Sequence, residues 1–309
     1  MARTSRNDLA ASCVGKPADS GDVSPAAALA SYVCLGHVTR DLTPSGWAFG
    51  GTAFFAAKAA AALGERVATV TRLRAADASV LAAEHHHVTW HARPSTHTTT
   101  FQNLYASTGR RQGMLERAAP IRPADAASAC RGARVVHLAP VAGEFGPSIL
   151  CAIPGPSFVG VTAQGWVRAR QTTGEVRWRP WRPRRAILAR ASVVILSEED
   201  IRGDAEAGIA YLRQARLGIL TRGPQALIVF QAGERTEVPV RPARERNPLA
   251  AGDVFAAALF IELSRGTPLA RATAFACAAA ALLVGRLDPL AFPPRAAAER
   301  RLRACTSTF

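Results

Sequence analysis

The chain has 309 residues, of which 49% are hydrophobic and 20% are charged. These values are typical of a folded soluble protein, and the length allows one large α/β domain or two small ones. The formal net charge of +15 is carried almost entirely by arginine, because Lys16 and Lys58 are the only lysines. Since the arginines are scattered and aromatic residues are few, a nucleic-acid binder is an alternative and not the main interpretation.

The cysteines and the apolar stretches predict a cytoplasmic protein. The six cysteines show no paired spacing typical of a zinc site or a redox dithiol, and several lie in apolar runs. This usage fits a reducing compartment. No apolar stretch follows Arg3 and Arg6, so no signal peptide is predicted. The longest apolar stretch, residues 272–284, is too short to span a bilayer and predicts a buried helix.

Residues 1–29 are rich in small and polar residues without periodicity and predict a flexible N-terminal extension, so that the folded domain is expected over residues 30–305. Within the domain, short apolar runs predict buried strands and the stretches between them predict helices. The predicted strands are 31–36, 67–70, 135–138, 158–161, 193–196 and 218–220, and the predicted helices are 52–63, 205–216, 253–264, 269–285 and 295–304. This alternation predicts a mostly parallel sheet covered on both faces.

Three stretches depart from the alternation. Residues 226–230 and 236–240 read as an antiparallel hairpin. Residues 96–105 are rich in threonine and favour a small sheet that stands off the main domain. Residues 177–185 alternate arginine with tryptophan and proline, and prolines exclude a regular helix. This segment either stacks on nucleic-acid bases or forms an ordered surface loop whose tryptophans pack on the domain.

The segment with the most chemical information runs from Asn247 to Asp253, where small residues precede a predicted helix. Small residues let the backbone approach a ligand, and the free amides at a helix start attract anions. Asp253 is then either a helix cap or a catalytic carboxylate, and the local pattern does not separate these alternatives.

Four other segments precede it in order: residues 36–41 ending in Asp41, the pair Gly50-Gly51, residues 197–200 and residues 221–223. Together with residues 250–253, these segments resemble the motifs of the PfkB or ribokinase family. The resemblance covers residues 30–300. It implies a doubly wound, mostly parallel sheet with helices on both faces and a small β lid, which would come from parts of residues 39–50 and 95–118.

The resemblance also implies a role for each matched residue. Asp253 would be the catalytic base, and the amides of Ala250, Ala251 and Gly252 would receive the transferred phosphate. Substrate contacts would come from Asp41, Gly50, Gly51 and Phe55, nucleotide contacts from Ser197, Thr221, Gly223 and Cys277, and metal contact from Asp200. The implied cofactors are ATP and Mg²⁺, and a homodimer is possible because family members often pair through the lid.

The chain departs from the family pattern at several of these positions. Phe55 stands where an asparagine is common, which puts a small free polyol in doubt as the substrate. Asn247 replaces an aspartate and Leu249 a threonine, so metal or monovalent-ion effects are in doubt. Ala250 replaces the first glycine of the anion turn, and alanine is expected to avoid positive φ. Ser197 and Asp200 are weaker versions of their counterparts, and Cys277 stands where many relatives have a polar residue.

Each of the remaining candidates also has a purely structural alternative. Asp41 could be a loop cap, Gly50 and Gly51 could merely shape a turn, and the acidic residues 198–200 could favour a helix start. Residues 85–87 with His91 suggest a metal site, but no nearby carboxylate or cysteine completes it, and a solvated turn is the other interpretation.

The sequence therefore predicts an ATP-dependent phosphotransferase that acts on a hydroxyl of a small metabolite such as a sugar, a cyclitol or a nucleoside. Two other functions stay open. The weakened motifs also fit a catalytically weak or inactive ligand-binding protein on the same fold, and the net charge also fits a nucleic-acid binder.

Overall fold

The computed structural model describes residues 29–106, 109–182, 184–241 and 243–306. All but the last residue of the predicted N-terminal extension therefore lies outside the described residues. The strands are β1 (Tyr32–Leu35), β2 (Thr39–Thr43), β3 (Gly46–Gly50), β4 (Val67–Leu73), β5 (Thr89–Pro94), β6 (Thr100–Ala106), β7 (Gly109–Glu116), β8 (Val135–Leu138), β9 (Phe158–Thr162), β10 (Arg168–Arg170), β11 (Val176–Trp178), β12 (Val193–Ser197), β13 (Leu217–Thr221), β14 (Leu227–Gln231) and β15 (Glu234–Val238).

The α-helices are α1 (Thr52–Ala62), α2 (Ala75–Glu84), α3 (Pro123–Cys130), α4 (Arg185–Arg190), α5 (Ala205–Gln214), α6 (Ala251–Ser264), α7 (Leu269–Val284) and α8 (Arg295–Thr306). None of the helices in the described part of the chain is long and apolar enough to span a membrane. The helix predicted at residues 272–284 is α7, which packs in the core.

Nine described strands form the main sheet in the order β15-β14-β13-β12-β9-β8-β1-β4-β5. The strands from β5 to β13 pair in parallel, whereas β14 and β15 pair antiparallel at one edge. The turn of this edge hairpin uses Ala232 and Gly233, both at positive φ. The predicted α/β fold class and the predicted hairpin are confirmed.

Two apolar layers cover the sheet, one on each face. The layer that contains α1, α6 and α7 includes Phe260, which is fully buried. Its ring lies over Gly160 of β9, so that a Cβ atom at position 160 would stand within 2.6 Å of the Phe260 Cγ atom. The glycine therefore lets α6 lie close to the sheet.

The second sheet, which we call the lid sheet, has the strand order β3-β2-β6-β7. It includes part of the threonine-rich stretch that was expected to form a separate small sheet. The hairpin β10–β11 extends it, because Met114 of β7 donates a backbone hydrogen bond to Gly174 at 2.8 Å and Gly113 bridges to Glu175. The sequence does not predict this hairpin.

The strand order reverses at β1, which lies between β4 and β8. In open parallel sheets, ligands bind in the crevice at the carboxyl ends of the strands beside such a switch point. The segments that follow β1 and β8 begin at Gly36 and Ala139. We therefore expect a functional site beside these two segments.

The segment 177–185 packs on the domain through its tryptophans. Trp181 is buried and stacks on Trp166 with ring centroids 5.0 Å apart, and Tyr211 contacts it edge-on. Trp178 is half-buried and covers Gly203. The Trp181 ring therefore packs in the core and is not exposed for stacking on a nucleic-acid base.

The cysteines differ in their surroundings. Cys34 and Cys130 are buried free thiols, and Cys277 is a half-buried one. Cys151 is in a disulfide bond, which the spacing of the cysteines does not predict and which does not fit the expected reducing compartment.

The contact between Gly160 and Phe260 gives a stability test. Gly160→Ala should lower the free energy of unfolding by about 1–3 kcal/mol, because the new methyl group overpacks a fully buried ring. Gly155→Ala is the matched control, since that exposed glycine has nothing within 4 Å of a Cβ position. Urea unfolding of both variants checks this, and equal stability of the two would contradict the packing argument.

Candidate active site

The turn before α6 has a strained backbone. Ala250 is the residue that precedes the helix, and it adopts a left-handed conformation with φ of 65°. The expectation that alanine avoids positive φ is wrong at this position. A non-glycine residue in this region costs about 1–2 kcal/mol, and such strain persists only where the surrounding structure imposes it.

The amides of this turn are not equally placed to receive a phosphate. The Ala251 N–H donates to the Pro248 carbonyl at 3.2 Å, so it is engaged within the turn. Gly252 is exposed, and nothing lies within 4 Å of a Cβ position there. Gly252 stands open at the helix start, and the role of the amides of Ala250, Ala251 and Gly252 toward a phosphate stays a prediction.

Asp253 lies in the first turn of α6 and is partly buried. Burial raises the pKa of its carboxyl group to about 7, the negative charges of Asp200 and Asp41 act in the same direction, and a hydrogen bond from Thr52 opposes them. Asp41, Asp200 and Asp253 are far apart in the sequence, but the structure brings them close enough to influence one another. A carboxyl group with this proton affinity can accept a proton near neutral pH.

Two glycines shape the position of Asp41 on β2. Gly50 lies on the neighbouring strand β3, and a Cβ atom there would collide with the Asp41 carboxylate. The Thr39 hydroxyl donates to Asp41 Oδ1 at 2.9 Å. Gly51 has φ of 88°, and a Cβ atom there would stand 2.7 Å from the His37 carbonyl oxygen. Gly51 is therefore required by its positive φ and by close approach to backbone, whereas Gly50 lets the Asp41 carboxylate lie against β3.

Phe55 lies on α1 in the hydrophobic core, with only 5% of its surface exposed. Its ring contacts Phe54 edge-on at a centroid distance of 5.3 Å. Phe55, a predicted substrate contact, thus lies among the side chains of the hydrophobic core.

Asp200 is bound on both carboxylate oxygens. Oδ2 accepts from the Ser197 backbone amide at 2.9 Å and from the Ser197 hydroxyl at 2.7 Å, and Oδ1 accepts from Arg168 Nη2 at 2.6 Å. Ser197 and Asp200 therefore close a turn at the carboxyl end of β12. Within the described residues, no group of three or more His, Cys, Asp or Glu side chains is arranged to hold a metal ion.

Thr221 and Gly223 follow the neighbouring strand. Thr221 pairs with Ser197 in the β12–β13 register, so both residues stand at the same edge of the sheet. Gly223 has φ of 58°, a conformation that favours glycine in the turn after β13. Cys277 lies on α7, and burial raises its thiol pKa to about 11, so the thiol is neutral at physiological pH.

The histidine-rich segment forms the end of α2 and a turn. His85 Nδ1 lies 2.9 Å from Lys58 Nζ, and its carbonyl oxygen accepts from Trp90 Nε1 at 2.8 Å. His86 and His87 are exposed. Among the described side chains these histidines are not part of a group of three or more that could hold a metal ion.

Two residues near the site are not predicted by the sequence analysis. Thr52, at the start of α1, lowers the pKa of the Asp253 carboxyl group against the effect of burial. Arg168 donates to Asp200 and also to Gln112 Oε1 of β7 at 3.3 Å. The place of Thr52 directly after the Gly50-Gly51 pair is a signal that could have indicated it, whereas the arginine-rich composition hides Arg168.

The C-terminal part of the chain matches a known protein family in sequence. Residues 185–294 match the model of the pfkB family carbohydrate kinase. The matched segment contains Asp200, Thr221, Gly223 and Asp253. No curated protein matches the chain in sequence.

Several solved structures share the fold. A pyrophosphate-dependent kinase of the ribokinase family, complexed with a pyrophosphate analog and myo-inositol, has a TM-score of 0.72 and 21% identity over 87% of this chain and 99% of its own. The Arabidopsis thaliana ribokinase complexed with ribose and ATP has a TM-score of 0.68 and 17% identity over 89% and 99%. A putative ribokinase II from E. coli, in complex with ATP and Mg²⁺, has a TM-score of 0.65 and 17% identity over 89% and 100%.

The doubly wound sheet, the lid sheet and the structural likeness show the ribokinase fold. Over residues 185–294 the chain is similar to the pfkB family of carbohydrate kinases.

The raised pKa of Asp253 predicts a pH-dependent effect on stability. The carboxyl pKa is about 7 in the folded protein against an ordinary value of 3.8, so the folded form binds this proton more tightly. Stability is therefore lost as the pH rises through this interval. Asp253→Asn should raise the free energy of unfolding at pH 8 by roughly 1–4 kcal/mol but leave it nearly unchanged at pH 4.

Urea unfolding of both proteins at pH 4 and pH 8 measures this difference. The comparison at pH 4 is the control, because Asp253 is then protonated and uncharged like asparagine. A difference that is the same at both pH values would show that Asp253 does not titrate in this range.

Proposed function

We propose that the protein transfers the γ-phosphoryl group of ATP to a hydroxyl group of a small metabolite, with Asp253 as the base. The observation that carries the proposal is the placement of Asp253, whose carboxyl pKa is raised to about 7, in the first turn of α6. The acceptor class is a sugar, a cyclitol or a nucleoside, and structural relatives complexed with ribose and with myo-inositol support this choice.

The chemical step follows from this placement. The acceptor hydroxyl gives its proton to the Asp253 carboxylate as its oxygen forms a bond to the γ-phosphorus. The bond between the γ-phosphorus and the β,γ-bridging oxygen breaks, and ADP leaves with the electron pair. Asp253 then releases the proton to solvent. Phosphoryl transfer needs alignment and charge stabilisation more than covalent help from the protein.

The acceptor would lie between the lid sheet and the start of α6. Asp41 would accept hydrogen bonds from acceptor hydroxyls, as an ionised carboxylate does well. Gly50 lets this carboxylate lie against β3, and Gly51 lets the start of α1 lie against the His37 carbonyl oxygen, so both glycines would act through close packing. Phe55 would act from the core, by shaping the layer beneath the acceptor and not by direct contact.

The donor would lie along the ends of β12 and β13. Ser197, Thr221 and Gly223 stand at this edge, and the exposed amide of Gly252 together with the positive end of the α6 dipole favours the phosphoryl group. A magnesium ion bound to the donor phosphates would supply charge neutralisation. Since both oxygens of Asp200 are engaged with Ser197 and Arg168, Asp200 would meet such an ion through water.

Pyrophosphate is a second candidate donor, favoured by the similarity to a pyrophosphate-dependent kinase. Both donors present a phosphoanhydride bond to the same anion turn, so the transfer step would be the same. The two differ in whether adenine and ribose contacts near Thr221, Gly223 and Cys277 contribute to binding.

The test is phosphate transfer from ATP or pyrophosphate, each with Mg²⁺, to a panel of sugars, cyclitols and nucleosides. Turnover should depend on the acceptor, and Asp253→Asn should lower kcat at least about 100-fold while the protein stays folded. Asp204→Asn is the matched control, because this aspartate caps α5 by accepting from the Ala207 amide and asparagine also caps well.

Acceptor-dependent turnover that survives in Asp253→Asn would sink the assignment of the base. Thermal stabilisation by ATP or an acceptor without any transfer would instead favour a ligand-binding protein on this fold. The donor that supports turnover decides between ATP and pyrophosphate.

A further inference from the structure

The four segments that lead into and out of the strands β2, β3, β6 and β7 of the lid sheet meet around His37. These segments are residues 36–38 before β2, residue 51 after β3, residues 95–99 before β6 and residues 117–122 after β7. His37 lies in the first of them and is fully buried. Its contacts therefore bear on how the lid sheet is held against the main domain.

The imidazole ring of His37 binds the segments that hold β6 and β7. Its Nε2 atom lies 3.0 Å from the Ala119 carbonyl oxygen, and its Nδ1 atom lies 2.8 Å from the Thr99 hydroxyl oxygen. Because a carbonyl oxygen can only accept, Nε2 carries the proton, and Nδ1 of the neutral ring accepts from the Thr99 hydroxyl. Burial lowers the pKa of His37, which agrees with a neutral ring.

The backbone of His37 makes the remaining contacts. Its N–H donates to Glu144 Oε1 at 2.8 Å, and this fully buried glutamate also accepts from the amides of Val141 and Ala142 in the segment after β8. Its carbonyl oxygen lies against Gly51, where a Cβ atom would stand at 2.7 Å. From within the first segment, His37 thus contacts the other three and is bound to the main domain through Glu144.

The same contacts continue to the Asp41 carboxylate. Thr39 is the first residue of β2, and its hydroxyl donates to Asp41 Oδ1 at 2.9 Å. The Arg40 amide donates to the Thr99 carbonyl oxygen at 2.9 Å. Thr99 is therefore bound both to the His37 ring and to the strand that carries Asp41.

We propose that His37 is a positioning residue for Asp41: its imidazole joins the segments before β6 and after β7 to the start of β2 and so sets where the lid sheet presents the Asp41 carboxylate. The inference rests on the proposed function, because Asp41 is the proposed contact for acceptor hydroxyls. An imidazole suits this role, since one planar ring donates to one segment and accepts from another.

The experiment removes each side of the contact in turn. Thr99→Val keeps the shape of the side chain but loses the hydroxyl that donates to His37 and accepts from the Ala118 amide at 3.0 Å. KM for the acceptor should rise about tenfold, and KM for the phosphate donor should change less than about twofold. Thr99→Ser keeps the hydroxyl and should restore the KM of the natural chain.

His37→Phe keeps an aromatic ring without its hydrogen-bonding atoms and should raise KM for the acceptor to a similar extent. Adding Thr99→Val to it should raise KM less than about twofold further, because the contact is already absent. Thr273→Val is the matched control, since its hydroxyl is buried on α7 and has no hydrogen-bond partner among the described residues.

Amide hydrogen exchange, followed by mass spectrometry, separates this inference from the proposed function. In His37→Phe and Thr99→Val, the amides of β2 and β6 should exchange at least about tenfold faster, and those of β12 and β13 should not change. Thr99→Ser and Thr273→Val should exchange like the natural chain.

Unchanged exchange in β2 and β6 in both variants would overturn the inference, even if the chain is a competent kinase. Faster exchange there with an unchanged KM for the acceptor would overturn the role toward Asp41. A natural chain without any transfer would contradict the proposed function, whereas hydrogen exchange would still decide whether His37 holds the lid sheet.

Discussion

The structure depends on holding one ionisable carboxyl group, that of Asp253, where its negative charge is unfavourable. Burial and the charges of Asp200 and Asp41 disfavour ionisation, while the hydrogen bond from Thr52 and the first turn of α6 favour it. The balance gives a pKa of about 7, which suits a base that must be ionised before transfer and must accept a proton during it. A more exposed aspartate would remain ionised but would be a weaker base.

This balance requires that the start of α6 does not move. The close packing of Phe260 over Gly160 sets the helix against the sheet, and the helix is apolar on all sides because it lies inside the domain. The left-handed backbone of Ala250 fits this account, because a strained turn persists only when the structure on both sides of it is fixed. The packing of α6 in the core and the position of Asp253 in its first turn therefore depend on each other.

The sequence predicts those parts of the molecule that local patterns determine. Short apolar runs are sufficient to place the buried parallel strands, and the small residues before Asp253 are sufficient to place an anion turn at a helix start. The conformation of Ala250 is not predicted, because residue type argues against it and only the surrounding fold imposes it. The influence of Thr52 on Asp253 and the contact between Arg168 and Asp200 are also not predicted, since each joins side chains from separate elements and depends on how those elements pack.

Arg168 shows how the unpredicted contacts connect the two sheets. Its guanidinium group donates to Gln112 of the lid sheet and to Asp200 at the carboxyl end of β12, so the charge of Asp200 is offset from the lid side. A displacement of β7 away from the main sheet would lengthen one of these two contacts. Arg168 thus joins the lid sheet to the turn that carries Asp200 at the carboxyl end of β12.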